Sequence, residues 1–226
     1  MFNFLKKTPI KINTTEIIDE IEKSVYLKLK PLGFRKHGRT LHRFVDGDIS
    51  QVINFQCGQA YRNETHLMSV NIGIRVPECF LRDFRTDVPQ KKYYHEYDCN
   101  IRSRLGTIKG GKESCYDLRK DTQKITDDIL YQINRYVLPA FAVLNSRDAI
   151  LKERRNYRNF DVIYGHTILL EEAMIYGKMG DIESATACFN QYYLQCLKQR
   201  KPHKVPKPHI EYLKELAAKL EIPLEN

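Results

Sequence analysis

Met68-Ser69-Val70-Asn71-Ile72-Gly73-Ile74-Arg75-Val76 alternates without a break, apolar at 68, 70, 72, 74 and 76, small or polar at 69, 71, 73 and 75. A period of two marks a strand with one face on a core and the other facing away from it. Pro77 stops the run, because proline has no N–H to give a ladder. Upstream, Thr40 to Val45 and Ile49 to Cys57 are extended runs joined by Asp46-Gly47, a dipeptide favoured in tight hairpins. Downstream, Cys99 to Leu105 alternates again, with Cys99, Ile101 and Leu105 on one face and Asn100, Arg102 and Arg104 on the other. Four such runs predict an antiparallel meander that is apolar on one side and polar on the other.

Helical spacing flanks the meander. Asn13-Thr14-Thr15-Glu16 offers a cap, and Ile17, Ile18, Ile21, Val25, Leu29 and Leu32 recur at threes and fours until Pro31 and Gly33 end the helix. The basic stretch Gly33 to Arg39 reads as a loop, with His42 and Arg43 just beyond. After Gly110-Gly111 the period lengthens, with Leu118, Ile125, Ile129, Ile133 and Val137 on a helix capped by Asp117 and broken or kinked at Pro139. A short basic helix over 147–155 follows, then a pair over 162–179 and 182–199 joined at Gly180-Asp181. The stretch 198–208, rich in lysine and proline, reads as a linker, and a last helix carries Ile210, Leu213, Leu216, Ala217 and Leu220 up to Pro223.

The fold class predicted is therefore α+β. An N-terminal helix packs on the antiparallel meander over residues 10–145, and residues 146–226 form a helical C-terminal region. Within that region Ala173, Tyr176, Gly180, Ala185 and Phe189 have the offsets of one tetratricopeptide-like helical hairpin. No second copy follows at the period of about 34 residues, which excludes a repeat array. The break at Asn145-Ser146 is short and favours one continuous packed structure.

Among the 226 residues, 42% are hydrophobic and 11% aromatic, which excludes a disordered chain because burial can offset its ordering entropy. With 29% charged residues, a mean hydropathy of −0.51 and no apolar run near the ~18 residues that span a bilayer, a membrane-embedded protein is excluded. Met1 to Lys7 is too short an apolar stretch for a signal peptide, and the six cysteines include no Cys-x-x-Cys. Reduced thiols and a cytoplasmic location are the expectation.

The polar face of the meander carries the candidate site: Asn54 and Gln56 on the second run, Asn71 and Arg75 on the third, Arg102 and Arg104 on the fourth. Asparagine is disfavoured in strands, so two at strand centres imply a hydrogen-bonding reason. Arginine forks match carboxylate and phosphate geometry, which points to an acidic protein partner or a small anion. An immunity-type protein that neutralises a toxin is one concrete form of such a module.

Other features carry less chemistry. Tyr93-Tyr94-His95-Glu96-Tyr97, behind Lys91-Lys92, reads as a loop packed on the sheet; the same mixture also suits single-stranded nucleic acid. The formal charge of +9 points the same way, but much of it lies in 147–158 and 198–207. No catalytic residue, metal ligand or cofactor is assigned: Gly-x-Ser-x-Gly, phosphate-cradling glycine motifs and histidine pairs at ligand spacing are all missing from the sequence. A binding module is the leading function. An RNA-binding protein and an enzyme with an unrecognised site are the alternatives.

Four segments together resemble a known family: Leu29 to Gly38, Val52-Ile53-Asn54-Phe55-Gln56, Val70-Asn71-Ile72-Gly73-Ile74, and Cys99 to Gly106. In order and spacing they are similar to a mainly bacterial, uncharacterised family, the domain of unknown function numbered 4304, over roughly residues 10–145. Members usually carry tryptophans after the position of Gly111, where this chain has Cys115-Tyr116 and no tryptophan at all. The resemblance implies a meander-plus-helices fold and no activity. Its motifs include Asn54, Gln56, Asn71, Arg102 and Arg104.

Overall fold

The computed structural model describes residues 13–58, 66–79, 91–108, 110, 115–160, 168–198 and 207–225. Asn13 opens the first helix, its side-chain oxygen accepting the Glu16 N–H at 3.4 Å. Helix α1 (Thr14–Leu29) buries Ile18, Ile21, Val25 and Leu29 along one stripe. Leu32, expected on that stripe, is instead 45% exposed. Pro31 stands in a 3-10 turn, Lys30–Leu32, whose tighter winding rotates Leu32 off the buried face.

The basic stretch expected to be a loop contains a strand. Strand β1 (Arg35–His37) pairs antiparallel with β2 (Thr40–Val45) across a turn in which Gly38 has φ +53°. All three β1 residues are exposed, so no apolar alternation betrays the strand in the sequence. The next hairpin joins β2 to β3 (Ile49–Cys57), with Asp46 at φ +46° and Gly47 at φ +79°. Two successive positive φ values are what a primed turn needs, and the Asp-Gly pair tolerates them.

Strands β4 (Leu67–Arg75) and β5 (Ile101–Arg104) complete an antiparallel order β1-β2-β3-β4-β5. Helix α2 (Leu105–Ile108) follows β5 directly, and the two-residue strand β6 (Tyr116–Asp117) pairs with Leu67 and Met68 of β4.

The helix expected to be capped by Asp117 begins later. Helix α3 (Thr122–Gln132) is capped by Asp121, which accepts the Lys124 N–H at 3.0 Å. Asp117 belongs to β6 and accepts the Arg119 N–H in the turn between them. Helix α3 widens into a π turn, Ile133–Val137, before α4 (Leu138–Val143). Pro139 lies in the first turn of α4, directly after the π turn, and the helical path runs through it without a break.

Helix α5 (Arg147–Glu153), capped by Ser146, continues into a 3-10 stretch, Arg154–Phe160. Helices α6 (Ile168–Met179) and α7 (Ile182–Lys198) form the expected hairpin around Gly180 at φ +84°, and α8 (Lys207–Lys219) follows. The expected helical residues 162–167 and the linker residues 199–206 lie outside the described residues. Among the described residues no helix is long and apolar enough to cross a membrane.

Two apolar clusters hold these elements. The larger sets Ile18, Ile21 and Val25 of α1 and Ile125 and Ile129 of α3 against Ile53, Phe55, Val70, Ile72 and Ile74 of the sheet. It also takes Ile150 and Ile175. Leu170, Ala173, Phe189, Tyr193, Leu213 and Leu216 form the second. Helix α6 serves both clusters, and Met174 packs against each. Each buried aliphatic side chain contributes about 1.5–3 kcal/mol, so α1 and α3 are fixed on the apolar side of the sheet. That leaves the polar side for other use.

Candidate functional site on the polar sheet face

The register places the six candidate residues on one face. Thr40 opposes Asn54, Asn54 opposes Asn71, and Asn71 opposes Arg104, so one row crosses the sheet from β2 to β5. In the next row His42 opposes Val52, which opposes Gly73, which opposes Arg102. Gln56 opposes Ser69 beyond the first row, and Ser50 opposes Arg75 beyond the second.

A strap formed by residues 91–99 covers part of this face, as expected of the aromatic run. Tyr94 is buried, edge-on to Phe44 at 6.1 Å between ring centroids, and its hydroxyl accepts the Lys91 N–H at 3.0 Å. The Arg75 guanidinium lies 3.9 Å over the same ring. Arg102 pairs with Glu96 of the strap, whose side chain is itself largely buried. Arg75 and Arg102 thus serve to anchor the strap, while Asn54, Gln56, Asn71 and Arg104 occupy the rows beside it.

Cys99, expected on the core face, rests over Gly73 on the polar one. The strand starts only at Ile101, so Cys99 belongs to the end of the strap's 3-10 turn, Glu96–Asp98, and the alternation does not reach it. Burial, and then the charge of Glu96, pushes its thiol well above the ordinary range, so it is no nucleophile at neutral pH. Asn100 reaches the sheet edge instead, accepting the Val76 N–H at 2.8 Å and donating to Glu171 at 3.0 Å.

The amides form a directed chain. Asn71 Nδ2 donates to Gln56 Oε1 at 2.8 Å and to Asn54 Oδ1 at 3.4 Å. Asn54 Nδ2 donates to Thr40 Oγ1 at 3.0 Å, and Thr40 Oγ1 lies 3.5 Å from His95 Nδ1. Asn71 is 3% exposed, so its partners answer the need for a hydrogen-bonding reason that strand asparagines raise. Gln56 is exposed, and its carbonyl oxygen accepts from Asn71. Ser69 Oγ, beside it, lies 3.2 Å from the exposed Cys115 Sγ.

Thr40 shares this face without having been singled out from the sequence, while His42, named with the basic stretch, and His95, named with the aromatic run, were not placed among its site residues. Positions 40, 42 and 44 alternate in β2, a pattern that places the first two once the register is known. For His95 the aromatic run is the only signal, and it does not say which row the ring meets. His42 Nδ1 and Ser50 Oγ are buried without a hydrogen-bond partner among the described residues. Burial, with Arg35 and His37 nearby, lowers the His42 pKa and keeps the ring neutral. Among the described residues no group of three or more His, Cys, Asp or Glu is placed to hold a metal ion.

Helices against one face of an antiparallel sheet, with an aromatic strap across part of the other, define an α+β protein with a half-roofed, amide-bearing sheet. The chain belongs to the family described as Domain of unknown function (DUF4304), which it matches over residues 25–143, a span that includes all six candidates. Neither a curated protein nor a solved structure matches it.

Proposed function

We propose that the protein is a binding module that holds an anionic partner on the sheet face beside the strap, through Gln56 and Arg104, with Asn54 and Asn71 behind them. The observation that carries this reading is the Asn71 carboxamide, buried at mid-sheet and engaging Asn54 and Gln56 together. The amide hydrogens of Asn71 and Asn54 are committed within the row, to Gln56, Asn54, Thr40 and the Arg39 carbonyl, so the row holds the exposed Gln56 side chain in place before any ligand arrives, which lowers the ordering cost of binding. Arg104, cross-strand from Asn71, supplies the positive charge for a carboxylate or phosphate.

The test is an NMR titration of the whole chain with poly-L-glutamate and with inorganic phosphate. Side-chain amide signals of Asn54, Gln56 and Asn71 should shift together, and Arg104→Ala should weaken the response at least several-fold. Shifts confined to the lysine-rich segment 198–207, or an Arg104→Ala response equal to that of the native chain, would overturn the reading.

A further inference from the structure

Beside the amide row four aromatic rings form a continuous ladder. His37 of β1 stacks on Tyr93 with centroids 3.4 Å apart and planes 22° apart. Tyr93 meets His95 edge-on at 5.4 Å, and His95 stacks on Tyr97 at 4.9 Å and 18°. Both ends are open: His37 is exposed, and Tyr97 is 57% exposed. A tyrosine held in a stack yet left this bare is an unusual use of a large apolar surface. It presents a flat, rigid π face at low entropic cost.

Acids and cations both surround the ladder, and the acids there are paired. The acids of the strap are engaged: Glu96 with Arg102, and Asp98 with Lys91 at 3.8 Å and with the His95 N–H at 3.0 Å. Among the cations, Lys36 reaches back to Glu22 and Arg39 to Asp19. Arg35 on β1 and Lys92 on the strap are exposed and pair with no described carboxylate. Exposed cations thus flank stacked rings, and hydrogen-bonding amides lie one residue away through Thr40.

We infer that the anionic partner of this face is a single-stranded nucleic acid. Its bases stack on Tyr97 and on the His37 end of the ladder, its phosphates lie by Arg35, Lys92 and Arg104, and a base edge meets Gln56. This rests on the proposed function above and names its ligand class. An acidic peptide would use the cations but leave the ring ladder unmatched. A single strand alternates flat rings with phosphates and so uses both. Asparagine and glutamine amides also complement base edges, which offer donors and acceptors in pairs.

The test is fluorescence anisotropy of labelled oligo-U and oligo-dT with the whole chain, alongside labelled poly-L-glutamate. Binding of either oligonucleotide should weaken with salt, the log–log slope reporting roughly 0.7 per neutralised phosphate. Tyr97→Ala should weaken it about ten-fold, the loss of one stacked base, while Tyr97→Phe, which keeps the π face, stays within about two-fold. Arg35→Ala with Lys92→Ala should flatten the salt slope. Oligo-U bound more tightly than oligo-dT would assign the 2′-hydroxyl a role and mark RNA as the natural strand. No binding of either oligonucleotide, or Tyr97→Ala binding like the native chain, overturns the inference. Poly-L-glutamate bound alone, and lost on Arg104→Ala, overturns it while leaving the proposed function standing. No binding of any of the three probes ends both.

Discussion

A β-carbon on Gly73 would stand 2.6 Å from Cys99 Sγ and 2.7 Å from Cys99 Cβ. The strap therefore rests directly on the backbone of the central strand, and glycine at 73 sets how closely it can approach. Gly73→Ala should destabilise the fold by about 1–3 kcal/mol through overpacking. Cys99→Ala removes the sulfur but leaves a β-carbon in the way, so it should restore only part of the loss. Cys99→Gly in the Gly73→Ala background should restore more. Urea midpoints of the three variants decide it, and a Gly73→Ala chain as stable as the native one would show that the strap lifts freely.

Arg154, 2% exposed, donates to Glu171 Oε2 at 2.6 Å, and Asn100 donates to the same oxygen at 3.0 Å. This buried group ties the end of β5 to α6. Arg154→Met leaves a carboxylate in the interior without its cation and should cost about 3–5 kcal/mol. Adding Glu171→Gln removes the stranded charge and keeps an acceptor for Asn100, so the double variant should regain most of that loss. Chemical denaturation of the two variants measures the difference.

His42 gives the fold an acid sensitivity. Its folded pKa lies below the ordinary 6.5, chiefly because burial disfavours the charged ring. Between the two values the unfolded chain binds the extra proton, so stability is lost as pH falls through 6.5 toward the folded value. His42→Phe should remove that part of the slope whatever its effect at neutral pH. Urea midpoints at intervals between pH 7.5 and 5 are expected to run flatter in the variant by the share of His42, with the contributions of His209 and Glu22 remaining in both chains.

Glu22 works in the opposite direction. Its side chain is buried, its Oε1 has no hydrogen-bond partner among the described residues, and Lys36 lies 2.7 Å from Oε2. Burial outweighs the lysine and raises the pKa above 4.5. The folded state then holds a proton that the unfolded state has released, so this group lowers stability as pH rises from 4.5 through the folded value. Relative to the native chain, Glu22→Gln should gain stability between pH 4 and pH 7, read as a growing difference in denaturation midpoint. A constant difference would show that Glu22 titrates normally.

Much of the sheet was legible because β3, β4 and β5 alternate over a long enough span for periodicity to speak. Asp46-Gly47 was legible because its chemistry permits the two positive φ values found there. What escaped was short or tertiary. Strand β1 has three exposed residues, and β6 has two, too few for any period to register. Asp117 and Asp121 are equally good caps by residue type, and only the pairing of Asp117 into β6 decides between them. The polar face was legible as a face, since strand alternation fixes which side chains share a side. Its roof was not. That Arg75 and Arg102 hold the strap while Arg104 lies beside it depends on where residues 91–99 cross, and nothing local in the sequence encodes a crossing point.

The family match opens in the last third of α1 and closes at the last residue of α4. Helix α6, serving two apolar clusters, shows that this boundary is not where the protein could be cut. A fragment ending there would lack Ile150 and Ile175, and one beginning at residue 25 would also lack Ile18 and Ile21, all of which the larger cluster buries. Such a piece would present a greasy wound where those side chains belong and would tend to clump or stick to chaperones. Kinship recorded in sequence and self-sufficiency in solution have different edges in this protein, and experiments on the sheet need the helices that follow it.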